Sequence, residues 1–137
     1  MPVANMRERR FDKVVLNKSI LETIKQMLGI TREAEEFDNE LVTHINSTFM
    51  PLSQLGVCDE DFCITGYNEV WSDFSDKPSL VETAKAFIAL KVRMVFDPPA
   101  STVVSDAINA RLSELEWRLN IQAEKIAQLA ESEDATP

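Results

Sequence analysis

The chain has 137 residues, a charged fraction of 27% and a formal net charge of −9. A chain of this length is expected to form one domain with a modest core. No apolar run approaches the ~18 residues that a membrane span needs. The acidic balance disfavours a tight DNA binder, because such proteins neutralise phosphates with clustered Lys and Arg. Charges at the N-terminus are not followed by an apolar segment, so no secretory signal is predicted.

The charge is unevenly distributed along the chain. Residues 1–13 contain four basic and two acidic side chains, a net charge of +2, which leaves −11 on the remainder. We interpret residues 1–18 as a basic N-terminal arm, residues 19–120 as a helical domain and residues 121–137 as a C-terminal extension. A basic arm of this kind favours binding to the phosphates of nucleic acids. A small helical DNA-binding or packaging regulatory protein is therefore one functional hypothesis.

Two S-x-x-E sequences predict helix starts, because the side chains of a capping box satisfy free backbone amides. The first, Ser19 to Glu22, opens a short amphipathic helix that ends at Gly29. The second, Ser79 to Glu82, opens the third helix. This helix has the thinnest polar face, so we expect it to be the most buried.

An apolar stripe that starts at Phe37 predicts the second helix, over residues 33–55. Pro51 lies inside this stripe and cannot donate a backbone hydrogen bond. We therefore expect a kink at Pro51 or a helix end near Met50.

Two adjacent prolines stop the third helix abruptly. Each disfavours helical geometry in the residue before it, so Asp97, Pro98 and Pro99 are predicted to form a stiff hinge. The fourth helix should begin near Ser101 or Ser105, and its apolar stripe fades in its last third. We predict that the hinge sets the direction in which this helix leaves the core.

Residues 56–78 combine turn-forming residues with aromatic side chains. Residues 62–65 and 67–71 are predicted to form an aromatic loop or a short β-hairpin. The aromatic rings must be covered, either by the same chain or by a neighbouring subunit. The predicted fold is all-α: a bundle of about four helices, with this loop or hairpin between helices 2 and 3 and an extended C-terminal helix.

The sequence offers little catalytic or metal-binding chemistry. His44 is the only histidine, and Cys58 and Cys63 are the only cysteines, which is too few for a tetrahedral zinc site in one chain. None of the glycines belongs to a phosphate-binding loop. We predict no enzyme activity, metal or cofactor. An enzyme would draw on His44 as its general base, whereas hydrogen-bonded packing or an interface role is favoured for this residue.

Three segments occur in an order and spacing that together carry a family resemblance. They are SILETIKQMLGI at residues 19–30; FD, HINS and QLGV within residues 37–57; and LKVR, FDPP and EWRLN within residues 90–120. Together they resemble the head-tail connector, or adaptor, proteins of tailed bacteriophages. The likeness covers residues 19–120, while both ends of the chain extend past the family pattern.

The resemblance implies a structural virion subunit, which forms a dodecameric ring below the portal. The ring would join the DNA-filled capsid to the tail and line the DNA channel without sequence-specific DNA contacts. The implied partners are the portal protein, a stopper or tail-completion protein, and further copies of the chain, with no membrane. The implied location is the virion neck, after assembly in the bacterial host cytoplasm.

The resemblance also assigns two contact surfaces. The C-terminal segment would dock on the portal, through Glu116, Trp117, Arg118, Leu119, Asn120, Ile126 and Leu129. The aromatic region would contact a neighbouring subunit or the stopper, through Phe62, Tyr67, Trp71 and Phe74.

Overall fold

The computed structural model describes residues 15–134, and helices dominate this part of the chain. The helices are α1 (Ile20–Met27), α2 (Asp38–Gln54), α3 (Trp71–Phe74), α4 (Pro78–Phe96) and α5 (Thr102–Asp134). Residues 15–134 contain no strand, and one isolated antiparallel bridge joins Ser19 to Val70. The predicted all-α fold is confirmed. Of the two predicted forms of the aromatic region, the loop is correct and the hairpin is wrong.

The aromatic loop (residues 55–70) pairs with the start of α1 rather than with itself. The N–H of Ile20 donates to the carbonyl of Glu69 at 3.0 Å, and the N–H of Trp71 donates to the carbonyl of Lys18 at 3.1 Å. The Glu69 carboxylate accepts hydrogen bonds from the N–H and the hydroxyl of Thr65, at 3.0 and 2.8 Å. The Glu69 side chain therefore stabilises this turn, in place of the backbone hydrogen bonds that a β-hairpin would have made.

The first of the two predicted capping residues is correct and the second is wrong. Ser19 Oγ accepts a hydrogen bond from the N–H of Glu22 at 3.3 Å and caps α1. α4 instead begins at Pro78, one residue before the predicted cap Ser79, and its N-cap position is Lys77, which makes no side-chain cap. Proline suits the first helical position, because its φ is already helical and its missing N–H would have had no partner there.

α2 starts at Asp38, later than the apolar stripe predicts. The segment before it is drawn towards α1, because the carbonyls of Arg32 and Ala34 accept hydrogen bonds from the buried Lys25 amine, at 3.0 and 2.9 Å. Phe37, the first residue of the predicted stripe, lies at the N-cap position and packs edge-on against Phe96. These contacts replace the first turn of the predicted helix.

The prolines act differently in α2 and α4. α2 continues through Pro51 to Gln54, so the predicted end near residue 50 is wrong. Pro51 lies in the last turn, where its missing donor removes a single intrahelical bond. α4 ends at Phe96, as predicted, because Asp97 before Pro98 leaves helical geometry, with φ −143° and ψ 69°.

The core lies between α1, α2, α4 and α5. α4 buries seven of its 19 residues, the largest number in a helix among α1, α2 and α4, but α1 buries five of only eight, so the prediction that α4 is the most buried helix holds for the number of buried residues and not for their share. After the corner at residues 97–101, α5 packs back on α4 as an αα-hairpin. The inward face of α5 contributes Ile108, Leu112, Leu115, Leu119 and Ala123 to the core.

α5 runs through residue 120 without a break, so the predicted extension begins inside a helix. Among residues 15–134, no helix is both long enough and apolar enough to span a bilayer. The hinge role predicted for Asp97, Pro98 and Pro99 stays a prediction. The structure adds that the chain reverses its direction at this corner, so that α5 packs on α4.

Leu119 tests whether α5 belongs to the core. Its side chain is 0% exposed, so Leu119→Ala should leave a cavity and lower the free energy of unfolding by about 2–5 kcal/mol in urea denaturation. Trp117→Ala is the matched control on the same helix, because Trp117 is 62% exposed and its loss should cost less than about 1 kcal/mol. Similar, small losses for both variants would show that α5 does not pack on the bundle in solution.

Candidate functional site

A buried lysine lies where α1, α2 and the aromatic loop meet. Lys25 is 0% exposed, and its Nζ lies 2.8 Å from Asp38 Oδ1 and 2.7 Å from the Tyr67 hydroxyl. The same Nζ donates to the carbonyls of Arg32 and Ala34. We call these five residues the Lys25 clasp. It joins three segments that have no sheet to hold them together.

The charges in the clasp stabilise one another. Burial lowers the pKa of Lys25, but hydrogen bonds to Asp38 and Tyr67 raise it by more, so the pKa lies above its ordinary 10.5. Burial raises the pKa of Asp38, but hydrogen bonds from Lys25 and Tyr67 bring it below its ordinary 3.8. Both groups are therefore charged at neutral pH. A protonated amine has no free lone pair, so the clasp is a structural ion pair and not a nucleophile.

The four aromatic contact candidates lie mainly against their own chain. Trp71 is 0% and Phe74 is 5% exposed, and their ring centroids are 5.8 Å apart. The Trp71 indole N–H donates to Thr23 Oγ1 at 3.1 Å. Phe62 and Tyr67 are half-buried. A contact of these residues with a neighbouring subunit or a stopper stays a prediction, and only Phe62 and Tyr67 keep appreciable exposed surface for it.

The seven portal-docking candidates fall on different faces of α5. Leu119 packs in the core and offers no side chain to a partner in this conformation. Asn120 and Ile126 are half-buried. The exposed members are Glu116, Trp117, Arg118 and Leu129. Docking on the portal stays a prediction for this set.

Trp117 forms one wall of a cleft of about 180 Å³ that also includes Thr83, Ile121 and Gln122. The Oε1 atom of Gln122 is buried and has no hydrogen-bond partner within residues 15–134. A buried acceptor without a partner costs about 1–3 kcal/mol.

Arginines flank the Trp117 cleft but are already engaged. Glu114 lies 2.9 Å from Arg111 and 3.0 Å from Arg118. Hydrogen bonds from Arg111 and then from Arg118 lower the pKa of Glu114. Arg118 is itself one of the residues that line the cleft, and its guanidinium is held there by the Glu114 carboxylate one turn earlier on the same helix.

A second groove, of about 210 Å³, lies between α2 and α4. His44, Ser47 and Pro51 line it on the α2 side, and Lys91 and Val95 on the α4 side. Nε2 of His44 lies 3.5 Å from a Glu40 carboxylate oxygen one turn earlier on the same helix. This geometry agrees with the packing or interface role that the sequence favours for the histidine.

The cysteines provide little reactive chemistry. Burial, and then the nearby Asp59 carboxylate, raise the pKa of the Cys58 thiol to about 11, so it stays protonated at neutral pH. Its Sγ lies 3.7 Å from the carbonyl of Phe49, and Cys63 is exposed. Among residues 15–134, no three His, Cys, Asp or Glu side chains are grouped to hold a metal ion.

Comparison with protein-family models decides what kind of protein this is. The model described as phage connector protein matches residues 20–126, from α1 through most of α5. The chain belongs to the phage connector protein family. No curated protein and no solved structure matches the chain.

Membership confirms the resemblance to head-tail connector proteins that the sequence carries. This phage connector protein is therefore a structural component of a phage, and connectors contact other virion proteins. The match includes the Lys25 clasp and the Trp117 cleft but ends before Leu129. Most of the predicted basic arm, residues 1–14, lies outside the described residues.

Sequence reasoning missed the Lys25 clasp. The only sequence signal is that Lys25 follows Leu21 by one helical turn, on a face that is otherwise buried. Two of its partners are backbone carbonyls and two come from distant segments, and no spacing rule predicts them.

Removing one half of the clasp should destabilise the fold. Asp38→Asn keeps the shape of the side chain but leaves the Lys25 ammonium buried without a counter-charge. We expect a loss of about 3 kcal/mol in the free energy of unfolding at pH 7, measured by urea denaturation. Glu82→Gln is the matched control, because it removes an exposed carboxylate paired with Lys85, and should cost well under about 1 kcal/mol.

The clasp also predicts a pH dependence. Because the folded-state pKa of Asp38 lies below 3.8, its contribution is present above that pH and is lost as the pH falls through the folded value. The stability advantage of the wild type over Asp38→Asn should therefore shrink below about pH 3.8, in thermal unfolding between pH 7 and pH 2. An advantage that stays constant down to pH 2 would contradict the assigned ion pair.

Proposed function

We propose that this phage connector protein is the adaptor subunit that joins the DNA-filled capsid to the tail, as a ring below the portal in the virion neck. The observation that carries the proposal is the family match over residues 20–126, which covers nearly the whole described bundle. The role is structural, and no turnover is expected.

The acidic charge supports a passage for DNA rather than a site that holds it. Outside residues 1–13 the chain carries a net charge of −11. Fixed carboxylates repel phosphates, whereas clustered Lys and Arg would retain the genome as it leaves. We propose that copies of the chain line the channel without sequence-specific contacts.

The far end of α5 is the part best placed to reach the portal. Residues 127–133 are all exposed, and Leu129 is 66% exposed on a helix that continues to Asp134. Ala123 is the last residue of α5 in the buried core, and Ile126 packs only partly against it. We propose that this projecting end docks on the portal, while the aromatic loop faces the stopper or tail-completion protein.

Truncation after Ala127 tests portal docking. The cut removes Leu129 and the acidic end but no buried core residue, so the bundle should keep its helical circular dichroism. We expect the affinity for purified portal protein to fall at least about 10-fold, because apolar anchors dominate such contacts. Unchanged affinity in surface plasmon resonance would place the portal contact elsewhere.

Two further measurements complete the design. Met27→Ala serves as the matched control, because Met27 is an exposed apolar residue on α1, 50% exposed and remote in sequence from the docking segment.

Phage particles lacking the protein should accumulate as filled heads without tails. Normal tail attachment in its absence would disprove the adaptor role itself.

A further inference from the structure

A short exposed segment of the aromatic loop follows directly on α2. We call residues 58–63 the loop tip. Four of its six residues are exposed, namely Asp59, Glu60, Asp61 and Cys63. The N–H of Phe62 donates to the carbonyl of Asp59 at 3.2 Å, so the chain turns within the tip. This segment therefore offers exposed surface to a partner protein.

The loop tip is attached to α2 at its start and on its inner side. Where α2 ends, the N–H of Val57 donates to the carbonyl of Leu52 at 3.0 Å, and Gly56 has the positive φ of 84° that such a helix end requires. Within the tip, the Phe62 ring packs edge-on against Phe49, with ring centroids 4.9 Å apart. These two attachments hold the tip close to the last turns of α2.

After the tip, one side chain of α2 holds the backbone of the loop. Nδ2 of Asn46 donates to the carbonyl of Ile64 at 3.0 Å, and Oδ1 of Asn46 accepts from the N–H of Ile64 at 2.8 Å. A single amide side chain thus takes both backbone hydrogen bonds of one residue, as a neighbouring strand would do. Ile64 is 2% exposed, so water cannot easily replace the Asn46 amide.

The attachments determine the path of the loop tip. Asn46 and Phe49 lie three residues apart, on adjacent turns of one face of α2. From Asn46 to Leu52 the helix rises about 9 Å. The chain therefore leaves the end of α2, runs back along the helix by more than one turn, and is fixed by Asn46 where the tip ends.

We propose that Asn46 is a positioning residue, which sets the place of the loop tip on the bundle for the contact of the aromatic loop with the stopper or tail-completion protein. Asn46 is half-buried and acts through Ile64 rather than by touching the partner. A loop that is already held in place loses less entropy on binding. The inference rests on the proposed function for the identity of the partner, but not for the attachment of the loop to α2.

Two variants of Asn46 test the attachment in the free protein. Asn46→Leu removes both hydrogen bonds with a side chain of similar size, and Asn46→Asp keeps an acceptor for the Ile64 N–H but loses the donor. In amide hydrogen exchange followed by NMR, we expect Ile64 to exchange at least about 10-fold faster in Asn46→Leu. The rate in Asn46→Asp should fall between those of Asn46→Leu and the wild type. Asn39→Leu is the matched control, because Asn39 is an exposed asparagine seven residues earlier on α2.

Tail attachment then tests the positioning itself. Phage particles assembled with Asn46→Leu should attach tails at least about 10-fold less often than wild-type particles, because the loop tip no longer has a fixed place. Particles with Asn39→Leu should attach tails normally. Val81→Ala controls for lost stability, because Val81 is fully buried on α4 and its truncation lowers the melting temperature without removing a hydrogen bond to the loop. Particles with Val81→Ala should keep their tails.

The outcomes separate the inference from the proposed function. The inference is overturned if Ile64 exchanges no faster in Asn46→Leu, or if Asn46→Leu particles attach tails normally. It is equally overturned if Val81→Ala, at a comparable loss of melting temperature, reduces tail attachment as strongly. If particles that lack the whole protein attach tails normally, the proposed function fails together with the positioning, and the exchange rates still decide whether Asn46 holds the loop.

Discussion

The Lys25 ammonium ties α1 to the start of α2, to the segment between them and to the aromatic loop. α1 has only eight residues, too few to be stable in isolation, and the segments that follow it make no sheet. Lys25 gathers the carbonyls of Arg32 and Ala34 with the side chains of Asp38 and Tyr67 at 2.7–3.0 Å. A buried ion pair contributes little net stability compared with apolar packing. Its value here is positional, because an apolar residue would leave the surrounding oxygens buried without donors.

The aromatic loop packs against the residues that Lys25 holds together. Arg32 lies 4.7 Å over the Tyr67 ring, which adds a cation–π contact to the hydrogen bonds that hold this loop. Trp71 then reaches Thr23 on α1, and Phe74 packs beside it. The chain therefore uses most of its aromatic residues internally. Trp117 differs from Trp71 in that it is 62% exposed, whereas Trp71 is fully buried.

The sequence predicted what depends on local chemistry. The cap at Ser19 and the stop at Asp97 follow from a short side-chain bond and from proline sterics, and both are found. Prediction failed where several local signals competed or where the partner was distant. Pro78 and Ser79 both suit a helix start, and only packing decides between them. The hairpin failed because the Glu69 side chain, rather than a second strand, takes up the amide of Thr65.

The surfaces of α5 were the hardest to predict. The periodicity of the sequence shows which face of the helix is apolar, but not which side chains are buried against the other helices. Leu119 and Trp117 are two residues apart in one candidate docking segment, yet one is 0% and the other 62% exposed. The core contacts of Leu115 and Leu119 therefore fix the direction in which Trp117 projects. A shift of one residue in the register of α5 would turn Trp117 by about 100° around the helix axis. The inward face of α5 thus determines which side chains the helix leaves exposed, through the same contacts that stabilise the fold.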